Sequence, residues 1–137
     1  MHNGGPFGAV VAKEGLIVGR GFNRVTASLD PTAHAEIVAI RDACARLQTF
    51  SLAGCELYAS CEPCPMCLAA IYWARLEKLY YAAGRHDAAA IGFDDARIFE
   101  ELARPQAERM IPSIQLLREE ARAAMVEWRQ HEGRIGY

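Results

Sequence analysis

The chain has 137 residues, the length of one ordinary domain, and its 52% apolar, 23% charged make-up suits a chain that buries a core, excluding disordered and collagen-like classes. Fifteen basic and seventeen acidic side chains leave a formal charge of -2, so no global positive field draws nucleic acid or anionic lipid, and a small ligand is favoured. The longest strongly apolar stretch, Leu68 to Ala74, is far shorter than the roughly 20 residues that cross a bilayer, and Met1-His2-Asn3-Gly4-Gly5 lacks the regions of a secretory leader; the expected setting is the cytoplasm, with neither a membrane nor a nucleic-acid partner.

Strand-like and helix-like patterns alternate without repeats or low-complexity linkers, which predicts an α/β fold in one domain over 1–137. Phe7 to Ala12 and Leu16 to Phe22 are apolar runs split by Lys13-Glu14-Gly15, an antiparallel hairpin turned at glycine. Ala33 to Leu47 carries Ile37, Val38, Ile40, Cys44 and Leu47 at mostly helical spacing, with Asp30 as N-cap and Pro31 in the first turn. Cys55 to Ser60 predicts a strand, Pro65 to Arg75 an apolar helix and Lys78 to Ala83 another strand, together the β-α-β unit that parallel sheets require. Asp94 to Leu102 reads as a short helix, Ile114 to Leu117 as a last strand, and Glu119 to Gln130 as a C-terminal helix. The expected core is a five-stranded mixed sheet with helices on both faces, whose crossover helices present their N-termini at one edge, where such folds hold ligands.

Five cysteines are an odd number, and Cys61, Cys64 and Cys67 stand at intervals of three with prolines among them. That is metal-ligand spacing rather than a disulfide framework. Cys44 and Cys55, among apolar residues, read as small core side chains. His34-Ala35-Glu36 opens the first predicted helix and Pro63-Cys64-Pro65-Met66-Cys67 the second, and H-x-E followed by P-C-x-x-C is the signature of zinc-dependent nucleobase deaminases. One imidazole and two thiolates give Zn²⁺ three protein ligands and leave a fourth position for water, as catalytic sites require. Helix N-termini carry partial positive charge, which favours Cys64 and Cys67 as thiolates. Glu36 stands close enough to reach the metal-bound water rather than the metal. Zinc lowers the pKa of that water toward about 7, so a hydroxide attacks while Glu36 acts as general base and then general acid. The competing reading is a closed structural site with Cys61 as an extra ligand; its place at a strand end favours a core thiol. His86 reads as a solvated loop residue, and His2 and His131 carry no signal.

With these residues in place the chain resembles the cytidine deaminase superfamily, and within it the bacterial guanine deaminase branch. Beyond the metal motifs, the resemblance rests on Gly4-Gly5-Pro6-Phe7-Gly8-Ala9, Asn23, Asp30-Pro31-Thr32-Ala33-His34-Ala35-Glu36, Ile71-Tyr72-Trp73-Ala74-Arg75 and Gly92-Phe93-Asp94-Asp95. It implies a three-layer α/β/α fold and conversion of guanine to xanthine and ammonia. Asn23 and the Ala35 backbone match groups that bind the purine, Asp95 matches an acid that contacts the guanine edge and assists proton transfer, and Phe7 and Trp73 match aromatics near the pocket. Tyr137 matches a terminal tyrosine that closes over the base. The resemblance also implies a homodimer, in some members with exchange of the C-terminal segment, for which Pro105 to Pro112 supplies a hinge. Members of the branch begin with a further helix ahead of the Gly-Gly-Pro-Phe motif, whereas this chain starts three residues before it; either the true start lies upstream or one sheet face lacks its cover, and the expectation is a truncated start.

Two related activities compete. A guanosine deaminase shares the base-reading motifs and differs in room for a ribose, which a closing Tyr137 excludes. A tRNA adenosine deaminase shares Pro31-Thr32-Ala33-His34-Ala35-Glu36 and Pro63-Cys64-Pro65-Met66-Cys67 but grips RNA with basic residues, against the slightly acidic balance here. A silent zinc module used only for binding gives no reason for Glu36.

Overall fold

The protein is represented by a computed structural model that describes residues 4–137; Met1, His2 and Asn3, in which neither a leader nor a functional histidine is read, lie outside the described residues. The chain divides into two compact units, Met1–Glu100 and Glu101–Tyr137.

In the first unit β1 (Gly8–Lys13) and β2 (Leu16–Phe22) form the predicted hairpin. Its two turn residues, Glu14 and Gly15, both have positive φ, 50° and 78°, the backbone that a two-residue hairpin turn demands and that glycine adopts without strain. β3 (Cys55–Cys61) pairs antiparallel with β1 and parallel with β4 (Lys78–Ala83), giving a four-stranded sheet in the order β2-β1-β3-β4. α3 (Pro65–Trp73) makes the crossover between the parallel strands. It stops short of the predicted Arg75, which turns into the left-handed region at φ 62°.

The core lies between the sheet and α2 (Ala35–Leu47). Every second residue of β3, namely Cys55, Leu57, Ala59 and Cys61, is buried, as are Ala9 and Val11 of β1, the period that one covered sheet face imposes. On α2 the deepest positions are Ala35, Ala39 and Ala43, four residues apart and so on one stripe. The larger apolar residues that the sequence pattern assigns to this face flank the stripe: Ile40 and Cys44 are partly buried against the core, and Leu47 is exposed. Small residues take the centre because β2 meets them with glycine. A Cβ on Gly21 would stand 2.1 Å from the Ala35 carbonyl oxygen, and one on Gly19 would stand 2.5 Å from that of Ala39.

Several sequence expectations change. Asp30 does not cap α2: its Oδ1 accepts from the backbone N–H and the hydroxyl of Thr32, at 2.8 and 2.7 Å, so it closes a local turn, and His34 is the N-cap. Two short helices were not foreseen, α1 (Val25–Ser28) and α4 (Arg85–Ala90); His86 therefore lies on a helix, not in a loop. α5 (Asp95–Ala103) follows close to its expected bounds.

In the second unit, a 3-10 turn (Gln106–Glu108) precedes α6 (Arg118–Gln130). The fifth strand expected at Ile114–Leu117 is absent: Ile114, Leu116 and Leu117 are exposed, and no strand pairs with them among the described residues. A strand forms only where a neighbouring strand supplies its backbone partners, and Leu117 leaves the β region altogether, with φ 51°, to cap α6. No helix among the described residues is long and apolar enough to cross a membrane.

Because α2 is seated on bare backbone, Gly21→Ala is expected to lower stability by about 1–3 kcal/mol through overpacking, read as an earlier urea midpoint at unchanged slope; an unaltered midpoint would contradict the close approach.

Candidate metal centre and active site

The N-cap of α2 is His34 and the N-cap of α3 is Cys64, both in extended backbone, and neither uses its side chain to cap its helix. Pro65 follows at the first helical position, where its missing N–H costs no intrahelical bond. The two caps face each other, with His34 Nδ1 3.6 Å from Cys64 Sγ. Cys67, one turn into α3 and fully buried, completes the set: the ligand atoms of His34, Cys64 and Cys67 lie within 4.8 Å of one another, and they are the one such triad among the described residues. One nitrogen and two sulfurs suit Zn²⁺, and tetrahedral ligands at ordinary zinc bond lengths are about 3.6 Å apart, so the residues present fit that ion.

The electrostatics favour ligation. Hydrogen bonds from Cys67 and His34 hold Cys64 as a thiolate, with a pKa of about 4 despite its burial. Cys67 moves the opposite way, because its thiol is tied to the Cys64 sulfur and is buried. His34 is raised by its bond to Cys64. A cation arriving here meets one thiolate already formed and displaces the remaining proton.

Glu36, in the first turn of α2, is buried with its Oε2 3.4 Å from Cys67 Sγ. It thus stands beside the triad without belonging to it, and burial raises its pKa above the usual carboxylate range. Phe7, Asn23, His34, Ala35, Glu36, Cys61, Glu62, Cys64, Phe93 and Asp95 line a cleft partly open to solvent. Asn23 is buried, and its Oδ1 accepts from the backbone N–H groups of Gly5 and Val25, both at 3.2 Å. With the oxygen so engaged, the amide has its N–H donors to offer a ligand. Asp95 opens α5 across the cleft as an acceptor; burial first, and the Cys64 charge second, raise its pKa.

The structure therefore brings together Phe7, Asn23, His34, Ala35, Glu36, Cys64, Cys67 and Asp95. It does not bring Trp73, which ends α3 at 62% exposure, nor His86, to the cleft lining. Tyr137 lies in the second unit and is exposed. Cys61 lines the cleft as a buried thiol donating to the Gly84 carbonyl at 3.7 Å, outside the ligand triad. Phe93 is an addition: it meets Phe7 edge to face at 4.7 Å, forming the apolar wall of the cleft. Its signal was the Gly92-Phe93-Asp94-Asp95 segment, from which only Asp95 had been assigned a role. Glu62 is a second addition, a residue of the Cys61-Glu62-Pro63-Cys64 segment with no role of its own in the sequence reading.

Comparison with known proteins agrees with this geometry. Residues 1–83 match the cytidine and deoxycytidylate deaminase zinc-binding region. Guanine deaminase of Bacillus subtilis is 52% identical over 134 residues, 98% of this chain and 86% of that protein, and its crystal structure superposes with a TM-score of 0.94 at 51% identity over the same shares. A guanine deaminase structure from Nitrosomonas europaea gives a TM-score of 0.65 at 38% identity, covering 90% of this chain and 72% of that one. The tRNA-specific adenosine deaminase of Aquifex aeolicus is 50% identical over 78 residues, 57% of this chain and 52% of its own length.

Cys67→Ser is expected to strip zinc from the purified protein, while Cys61→Ser retains a full equivalent, as metal analysis of both variants would register. Removing zinc with a chelator should lower Tm, since a ligand bound only by the folded chain stabilises it.

Proposed function

The chain belongs to the cytidine and deoxycytidylate deaminase zinc-binding family, and from that premise we propose that it is a guanine deaminase, which hydrolyses guanine to xanthine and ammonia at the ring carbon bearing the exocyclic amine. The observation that carries this reading is the placement of Glu36 beside the His34, Cys64 and Cys67 triad, in a cleft that presents an amide donor from Asn23 and a carboxylate acceptor from Asp95. Zinc, held by His34, Cys64 and Cys67, supplies Lewis acidity that makes water a nucleophile near neutral pH.

The remaining work falls to side chains. Glu36 is the general base that takes one proton from the attacking water and, as general acid, passes it to the ring nitrogen; it then carries the second proton of that water to the departing amine. Its raised pKa suits a group that must both hold and release a proton. Guanine has N–H donors along one edge and ring acceptors along another. Asp95 accepts from the former and assists proton transfer, and Asn23 donates to the latter. The N–H of Ala35, in the first turn of α2, has no intrahelical partner to satisfy and is available to the base. Phe7 with Phe93 gives the flat ring an apolar wall.

The assembly we assign is a homodimer in which the C-terminal segment crosses to the partner, so that Tyr137 serves the partner's cleft. The exposed apolar side chains of the second unit, Leu116, Leu117, Met125 and Trp128 among them, support such an exchange, because large exposed apolar patches are uncommon on monomers. The protein reads as cytoplasmic, in keeping with its five free cysteines.

Ammonia release by zinc-loaded protein is expected with guanine and not with guanosine, adenine, cytosine or cytidine; equal turnover of guanosine would refute the base-sized pocket. Glu36→Gln should lower kcat at least about a hundredfold while retaining zinc, and activity within a few-fold of wild type would remove its assigned role.

A further inference from the structure

We propose that Arg85 is a positioning residue for the deamination, fixing Asp95 relative to the metal-binding loop by clamping Glu62 on one side and Phe99 on the other. The proposal rests on the guanine deaminase reading of the same site. Arg85 opens α4 and spends three donors on one carboxylate: its backbone N–H and Nε reach Glu62 Oε2 at 3.0 and 3.3 Å, and Nη2 reaches Oε1 at 2.6 Å. Glu62 lies between Cys61 and Cys64, its side chain only 19% exposed, and its own N–H donates to the Ala83 carbonyl at 2.8 Å. The loop leading into the metal ligands is therefore tied to the end of β4 through the Glu62 backbone and to the start of α4 through its side chain.

The same guanidinium lies over the ring of Phe99, 4.4 Å from its centroid. Phe99 stands four residues after Asp95 on α5, one turn further along the same helix face. A single side chain thus links the segment that presents Cys64 to the helix that presents Asp95. Arginine is suited to this double task because its fork matches a carboxylate while its flat face stacks on an aromatic ring, whereas lysine does the first without the second.

A double-substitution cycle tests this. Arg85→Met is expected to keep one zinc per chain and to lower kcat/KM for guanine by about tenfold to a hundredfold, with Arg85→Lys between it and wild type. Introduced into Asp95→Ala protein, Arg85→Met should lower kcat/KM no more than about twofold further, since its effect acts through Asp95. The cycle can be repeated without turnover by measuring guanine affinity calorimetrically in zinc-loaded Glu36→Gln protein, where Arg85→Met weakens binding only while Asp95 is present. An equal loss in both backgrounds makes Arg85 a general structural tie and overturns the proposal, as does loss of zinc from both the Met and Lys variants. Absence of guanine turnover in the wild-type protein would instead remove the reading on which the proposal rests, and the proposal with it.

Discussion

Helix α2 lies closer to the sheet than side chains on β2 would allow. Gly21 leaves no Cβ in front of the Ala35 carbonyl, Gly19 leaves none in front of Ala39 and Ala43, and the helix answers with an alanine stripe. This approach seats the N-terminus of α2 at the ends of the strands, where Asn23 follows directly from β2 and donates its own backbone N–H to Phe7 at 3.0 Å. His34 and Glu36 thereby enter the same cleft as Asn23 and Phe7. Across the sheet, β3 runs straight into Cys61 and the loop to Cys64, so the second helix N-terminus arrives at the same edge. The site depends on these two N-termini being held face to face by strands that end together.

That placement explains the electrostatics as well as the geometry. A buried pair of thiols would ordinarily resist ionisation. Here Cys64 sits as N-cap at the positive end of α3, opposite an imidazole, and is thiolate at neutral pH. The acids around it shift the other way: Glu36 and Asp95 both have raised pKa values because burial disfavours their charged forms, with the Cys64 charge adding to the effect. One cleft therefore favours the anionic form of a sulfur for a metal while disfavouring the charged form of two carboxyls. Opposite shifts of this kind separate ligand roles from acid-base roles.

The lining of the cleft sets an amide donor, a carboxylate and an apolar wall around one space. Asn23 has its oxygen engaged, Asp95 is an acceptor, and Phe7 with Phe93 forms an apolar wall. A base with donors on one edge and acceptors on another meets complementary groups, while a polyanionic chain would meet a protein of net charge -2.

Residues that act within a few positions of one another were legible in the sequence: the His34-Ala35-Glu36 and Pro63-Cys64-Pro65-Met66-Cys67 motifs, the Glu14-Gly15 hairpin, the β-α-β unit and the separation of Cys61 from the ligand set. In each case local backbone preference and motif spacing decide the outcome. The fifth strand was misread because Ile114 to Leu117 has the right residue types, yet a strand exists only where a neighbour completes its hydrogen bonds. The core face of α2 was misread because hydrophobicity points to the large residues, whereas Gly19 and Gly21, far away in the chain, select alanines. Phe93 facing Phe7 and Arg85 spanning Glu62 and Phe99 belong to the same class. The sequence by itself determined the metal-binding chemistry and the strands and helices that carry its ligands, since both are written over short spans; only the tertiary structure decided which distant side chains share the cleft, since that follows from close packing between elements.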